Sequence, residues 1–295
     1  MKNINRYYAS ALSAYLIWGF IPVSLKFLSD YPSGAIMYFR VTFSLVILLM
    51  ISFLVQRKRL KDTLRKLWDL APAQRPKIIA LILFSGVTLA INWLSYIYTI
   101  NNVSVQIGAF AYLICPILTA FLGFLILKEP LKLQHRIAIL LSSVSCLILG
   151  SGSWENVGFA LIIASSYACF LIMQRYLRNY DKMTLLTFYL MVAFAITAPL
   201  FSTLVSPETP ILNIRFIGMI LVISGLFTIL PLFLNTYALK GMTAGTVGIL
   251  SYLNPFINFM VAFLIYQENS SWLQILAYAF IFISVILYNW RFSSH

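Results

Sequence analysis

Arg40 is the residue of this 295-residue chain whose position most demands a chemical reason. It lies inside an apolar stretch, residues 34–55, long enough to cross a bilayer. A guanidinium there is costly unless it faces protein or a water-filled cavity, so an intramembrane arginine is read as functional by default. Its planar fork suits a carboxylate or a phosphate. The structural alternatives are pairing with Asp30 or Glu268, or reaching the outer headgroups. Lys26, near the end of the first apolar stretch, could reach the same vestibule, although snorkelling explains it as well.

Two prolines point to the same region. Pro116 and Glu129 are thirteen residues apart, and so are Pro255 and Glu268, each pair bracketing a long apolar run. The offset between the copies is 139 residues, nearly half the chain. A proline inside a helix removes one backbone bond and frees a carbonyl. Breaks at equivalent positions of two similar halves mark the substrate site of many membrane carriers, with a packing kink as the alternative. Near the prolines lie Tyr112, Tyr252, Asn254 and Asn258, whose polar groups need partners inside a bilayer. Asn92, Trp93 and Tyr96 cluster on one side of another stretch, where Trp93 could wall a ring or an alkyl chain. Asn235 is placed similarly. Helix packing is the alternative for all of these. Gly241-Met-Thr-Ala-Gly245 has the small-xxx-small spacing that permits close helix approach, and, because it starts a span, fits a tight turn equally well.

The elements that must hold these residues follow from composition. Hydrophobic residues make up 61% of the chain and charged residues 10%, against about 25% charged in a soluble domain. The chain therefore reads as an all-α polytopic membrane protein. Ten spans are expected at 8–28, 34–55, 77–99, 104–127, 133–150, 156–175, 183–205, 214–236, 243–266 and 272–290. All but Lys26, Arg40 and Arg215 of the 21 Lys and Arg then fall on segments of one face. By the positive-inside rule that face, with both termini, is cytoplasmic. Five spans per half is an odd number, so the halves, 8–150 and 156–290, are expected to be inverted repeats. The connection 56–77 reads as a basic amphipathic segment with Leu60, Leu64, Leu67 and Trp68 on one face, set against anionic headgroups.

These residues resemble a known family. Ten spans in two inverted halves, Tyr15-Leu-Ile-Trp-Gly-Phe-Ile-Pro22 with Lys26, Asn92-Trp93, Asn101-Asn102, Tyr252-Leu-Asn-Pro255 and the last apolar segment, Ala279–Trp290, are similar to EamA-type transporters of the drug/metabolite transporter superfamily. The nearest likeness is to the RarD-like group, although where that group carries His-Arg this chain has Phe39-Arg40. The resemblance implies an inner-membrane carrier of small metabolites.

The absences narrow the class. No acidic residue lies deep in an expected span, so proton exchange through a buried carboxylate has no evident carrier. A carboxylated, amino-acid-like, otherwise anionic, zwitterionic or neutral solute fits better than a cationic drug. The coupling ion, a proton or a counter-substrate, stays open. The two histidines and three scattered cysteines offer no HExxH, Walker loop, GxSxG or metal-ligand spacing. An enzyme, a metal site and a cofactor are therefore not expected. The net charge of +13 is accounted for by orientation, not by nucleic acid. The expected mechanism is alternating access, with export or exchange as the direction. The expected cavity is roofed by the third, fourth, eighth and ninth spans and flanked by the first, second, sixth and seventh. The fifth and tenth spans would be scaffold, or a dimer surface if the monomer pairs. A flippase for a lipid-linked substrate and a drug efflux carrier are the alternatives.

Overall fold

The computed structural model describes residues 2–28, 30–102, 105–149, 154–205, 213–264 and 272–290, and among them every regular element is helical. In chain order these are α1 (Lys2–Gly19), α2 (Ile21–Lys26), α3 (Ser33–Met50), α4 (Arg57–Trp68), α5 (Arg75–Asn102), α6 (Val105–Leu127), α7 (Leu133–Leu149) and α8 (Trp154–Tyr176). They continue with α9 (Lys182–Thr197), α10 (Phe201–Leu204), α11 (Ile214–Ser224), α12 (Leu230–Gly241), α13 (Ala244–Leu250), α14 (Leu253–Leu264) and α15 (Trp272–Asn289). Six described stretches are long and apolar enough to cross a membrane: Asn5–Leu25, Ser33–Val55, Arg75–Thr99, Gly158–Tyr176, Lys182–Leu204 and Ile214–Gly241. Ala111–Leu127, Leu133–Ile148 and Ile275–Asn289 are shorter apolar helices.

Several expected spans are interrupted, each for a local reason. The first breaks at Phe20, and α2 restarts with Pro22 in its first turn, where a missing N–H costs nothing. The segment expected at 243–266 splits at Ser251-Tyr252 into α13 and α14. Pro255 therefore lies in the first turn of α14 rather than breaking a longer helix. The carbonyl that its ring cannot serve, that of Ser251, accepts instead from the Asn254 N–H at 3.0 Å. Pro116, by contrast, sits inside an unbroken α6, which corrects the expectation of a helix break there. Two π turns also interrupt the spans, Ile51–Val55 after α3 and Gly225–Ile229 between α11 and α12. Each inserts one residue into the helical ladder and re-aims the side chains beyond it.

Without water between helices, close contact of small residues replaces hydrophobic exclusion as the basis of packing. A Cβ on Gly248 would stand 2.8 Å from the Thr119 side chain, and one on Gly86 would stand 2.5 Å from Val192. Glycine there is what lets α13 lie on α6 and α5 on α9. The segment Gly241–Gly245 forms the turn from α12 into α13, and at its end a Cβ on Gly245 would collide with the Tyr288 hydroxyl and stand 3.4 Å from the Ala120 backbone. The main core runs through α1, α3, α5, α8, α9 and α12, with Tyr15, Phe170 and Tyr189 fully buried. α7 and α15 pack together, joined by the Ser142 hydroxyl donating to Ser284 at 2.8 Å.

The basic connection does form a helix, α4, and the protein itself covers only part of its apolar face. Thr63 is buried, Leu60 and Leu67 are half-buried, and Leu64 and Trp68 face outward. The 60–63–67 spacing follows one side of a helix, and this side rests on the π turn, α5 and α9.

Candidate functional site

The cavity that gathers the expected site residues is bounded by Trp18, Ile21, Arg40, Asn92, Trp93, Tyr96, Tyr112, Tyr167, Leu232, Asn254 and Pro255. The side chains come from α1, α2, α3, α5, α6, α8, α12 and α14, so sequence-distant parts of the chain converge on it. Its free volume is about 60 Å³, room for about four water molecules. A metabolite larger than that needs the walls to part.

Arg40 is only 6% exposed. Its Nε donates to Thr228 Oγ1 at 2.7 Å, and the guanidinium carbon lies 4.6 Å from the Trp93 ring centroid. No acidic side chain among the described residues pairs with it, and Asp30 is exposed elsewhere. The π turn explains this placement. Thr228 donates to the carbonyl of Ile223, five residues earlier, at 2.9 Å, which turns its hydroxyl toward α3. Ser224 donates to the Arg40 carbonyl at 3.2 Å, fixing the register of the two helices. Pro231 has no N–H to offer the Phe227 carbonyl, and the Trp18 indole donates to that carbonyl at 3.0 Å. One irregular turn thus holds both the arginine and an aromatic wall of the cavity.

Asn92 is fully engaged. Its Nδ2 donates to the Ile163 carbonyl at 2.9 Å, and its Oδ1 accepts from the Tyr112 hydroxyl at 3.3 Å. It therefore orients Tyr112, which packs edge-on against Tyr96 and Tyr167. Asn254 presents a buried Oδ1 with no hydrogen-bond partner among the described residues. A buried acceptor left open costs about 1–3 kcal/mol unless a ligand or water meets it. The Tyr167 hydroxyl, on another wall, is likewise buried without a hydrogen-bond partner among the described residues. The cavity therefore offers one cationic fork, one open amide acceptor, one open hydroxyl and walls that are mostly aromatic.

Seven of the expected residues come together here: Arg40, Asn92, Trp93, Tyr96, Tyr112, Asn254 and Pro255. Three do not. Asn235 is buried beneath the cavity and accepts the Tyr15 hydroxyl at 2.9 Å, because its position on α12 turns it toward α1. Tyr252 is buried in the side cluster of α6, α7, α13 and α15, since the break before α14 turns it away from Asn254. Pro116 is buried in α6 but does not line the cavity. The side chains of Lys26 and Asn258, and all of Glu268, lie outside the described residues. No described residue of the seventh expected span lines the cavity, which removes it from the expected walls. Trp18, Ile21, Tyr167 and Leu232 were not expected to line it. Pro231, in the middle of an apolar run, was the available signal for the π turn.

The sequence profile of the EamA-like transporter family matches residues 5–151 and, a second time, residues 156–290. An uncharacterized transporter of Vibrio cholerae is 28% identical over 289 residues, covering 95% of this chain and 90% of its own. The RarD protein of Salmonella typhimurium is 26% identical over 281 residues, covering 94% of this chain and 92% of its own. A crystal structure at 14% identity superposes with a TM-score of 0.72 over 95% of both chains, a likeness of fold. The family and the names of these relatives indicate transporters, not enzymes. Two successive profile matches spanning nearly its whole length show that this chain belongs to the EamA-like transporter family, and among its relatives it is similar to RarD.

Proposed function

We propose that this chain is a secondary transporter of the bacterial inner membrane that moves a small carboxylated, zwitterionic or neutral metabolite by alternating access. Ten spans in two inverted five-helix halves, with both termini in the cytoplasm, form its frame. The substrate sits between the halves, with Arg40 as its anionic anchor. Trp18, Trp93, Tyr96, Tyr112 and Tyr167 wall the rest of it, and Asn254 Oδ1 accepts from a donor on it. Export or exchange is the direction, and an unidentified coupling ion or counter-substrate completes the cycle.

The observation that carries this reading is a buried arginine facing a cavity with no acidic partner among the described residues. A buried charge without a counter-charge is expensive unless something else neutralises it, and an anionic group entering the cavity would do so. A flippase for lipid-linked substrates and an efflux carrier for cationic drugs are the competing readings. A cationic drug would meet Arg40 directly and loses favour on that ground; a lipid-linked substrate would have to bring its acyl or prenyl chain to a cavity of about 60 Å³.

The test is a thermal-shift screen of the detergent-purified protein against carboxylated, phosphorylated, zwitterionic and cationic metabolites, run in parallel on Arg40→Ala. A ligand that binds only the folded form raises its melting temperature. Stabilisation by anions or zwitterions that vanishes in the variant is the expected result. Equal stabilisation of both proteins, or stabilisation by cations alone, removes Arg40 as the anchor.

A further inference from the structure

A second charged cluster lies away from the cavity, at the end of the molecule that carries the basic helix α4. Lys77, at the start of α5, stands 5.6 Å from the Tyr176 ring at the end of α8, which places both helix ends there. At this end Glu129 crosses from the first family match to the second. Its Oε1 accepts from the Ala244 N–H at 2.8 Å and its Oε2 from the Gly245 N–H at 3.2 Å. Arg175 Nε lies 3.5 Å from Oε1, with side-chain exposures of only 15% for Arg175 and 11% for Glu129. Arg175 Nη1 also donates to the carbonyls of Leu239 and Lys240, at 2.8 and 3.2 Å. One carboxylate and one guanidinium thus join the end of α6, the end of α8, the end of α12 and the start of α13.

Glu129 is delivered by a formed helix stop, not by a loose loop. Lys128 adopts a positive φ of 54°, and the Glu129 N–H donates to the Gly123 carbonyl six residues back at 3.1 Å. That is the left-handed closure of a helix C-terminus, and it aims the carboxylate across at α13. Behind it runs the seam of small residues between α6 and α13, where Gly245 lies against Ala120 and Gly248 against Thr119. Thr119 donates back to the Cys115 carbonyl at 2.8 Å, and the buried Cys115 thiol is one turn further in, toward the cavity.

We infer that Glu129 and Arg175 are gate residues: they pin the α6–α13 seam shut at the basic-loop end, and substrate reaches that side only when the Glu129 carboxylate leaves the α13 backbone. The contact can open without breaking a long element: its two backbone donors belong to a short helix, and its cation also serves the α12 carbonyls. This inference rests on the carrier reading proposed above, but it concerns the gate and not the binding cavity.

The native thiols supply the test. With Cys146→Ala and Cys169→Ala, Cys115 is the single cysteine of the chain. Its labelling by a membrane-impermeant maleimide is followed in right-side-out and in inverted vesicles, so that one face is exposed at a time. With Glu129 intact, labelling is slow from both faces. In Glu129→Ala it rises at least tenfold from the face bearing the basic loops and stays unchanged from the other. Arg175→Met raises it by about threefold from the same face, because Glu129 keeps its two backbone donors. Unchanged labelling in a folded Glu129→Ala protein overturns the proposal. So does an equal rise from both faces, which marks general loosening. If Glu129→Ala does not fold, Arg175→Met decides alone, and no one-sided rise overturns the proposal. No substrate is needed, so Arg40→Ala can fail the anion screen while the gate result stands, and the reverse also holds.

Discussion

Arg40 and Arg175 are both largely shielded arginines inside an apolar protein, and they are used in opposite ways. Arg175 is fully committed, with a carboxylate on one nitrogen and two helix-end carbonyls on another. Arg40 has one neutral hydroxyl on Nε and an aromatic face beside its guanidinium, and its cavity contains no described acid. The same side chain is thus a closed contact in one place and an open one in the other. A charge whose partners are already present holds structure together. A charge whose surroundings stop short of neutralising it is poised for something that arrives from outside.

The largest test of that contrast is Arg40→Ala, which removes the open charge. Losing one partner of a desolvated, charge-assisted contact costs about 2–5 kcal/mol, so an anion that stabilises the natural protein should bind at least about 30-fold more weakly. Arg40→Lys restores charge without the fork, and recovers part of the affinity in the same titration. At the committed arginine the readout is stability instead. Arg175→Met strips Glu129 and two carbonyls of their donor, a loss of about 2 kcal/mol, visible in thermal melts with anion affinity unchanged.

Thr228→Val sharpens the comparison from the other direction, because it takes away the one hydroxyl that steadies Arg40 while keeping the side-chain shape. A hydrogen bond to a charged group contributes about 1.5–3 kcal/mol, so anion binding should weaken at least about tenfold, with Thr228→Ser recovering most of it. Unaltered affinity in Thr228→Val would mean that the π turn does not set the arginine's position. The smallest effect belongs to a third kind of arginine. Arg65 pairs with Asp69 at 3.8 Å on α4, with both side chains more than two-thirds exposed. Arg65→Gln should change stability by less than about 0.5 kcal/mol, and it should leave anion binding as it was.

Arg40 was legible as a candidate because the cost of an intramembrane guanidinium is a property of residue type and depth, both readable along a chain. Asn92, Trp93 and Tyr96 were legible through their helical spacing. Trp18 and Tyr167 were not, because in a chain with 17 tyrosines, 23 phenylalanines and 6 tryptophans an aromatic residue marks nothing until its neighbours are known. Asn235 shows the converse. Its depth matched that of the cavity residues, but the Tyr15 hydroxyl occupies its Oδ1, and no local pattern encodes a contact 220 residues away. The two proline copies were read as equivalent, yet α6 runs straight through Pro116 while the second copy breaks before Pro255. In the second copy the chain turns at Ser251-Tyr252, where the Ser251 carbonyl takes the Asn254 N–H instead.

By itself the sequence determined that this protein lives in a membrane, that its positive charge lies between apolar segments and that one arginine lies where it needs a partner. Those follow from composition and from 1.5 Å of rise per residue, which are local quantities. Tertiary structure decided which side chains share the cavity, where the spans break and that Glu129 reaches across to α13. These depend on helix rotation and on contacts more than a hundred residues apart, where a turn of one residue re-aims a side chain by about 100°.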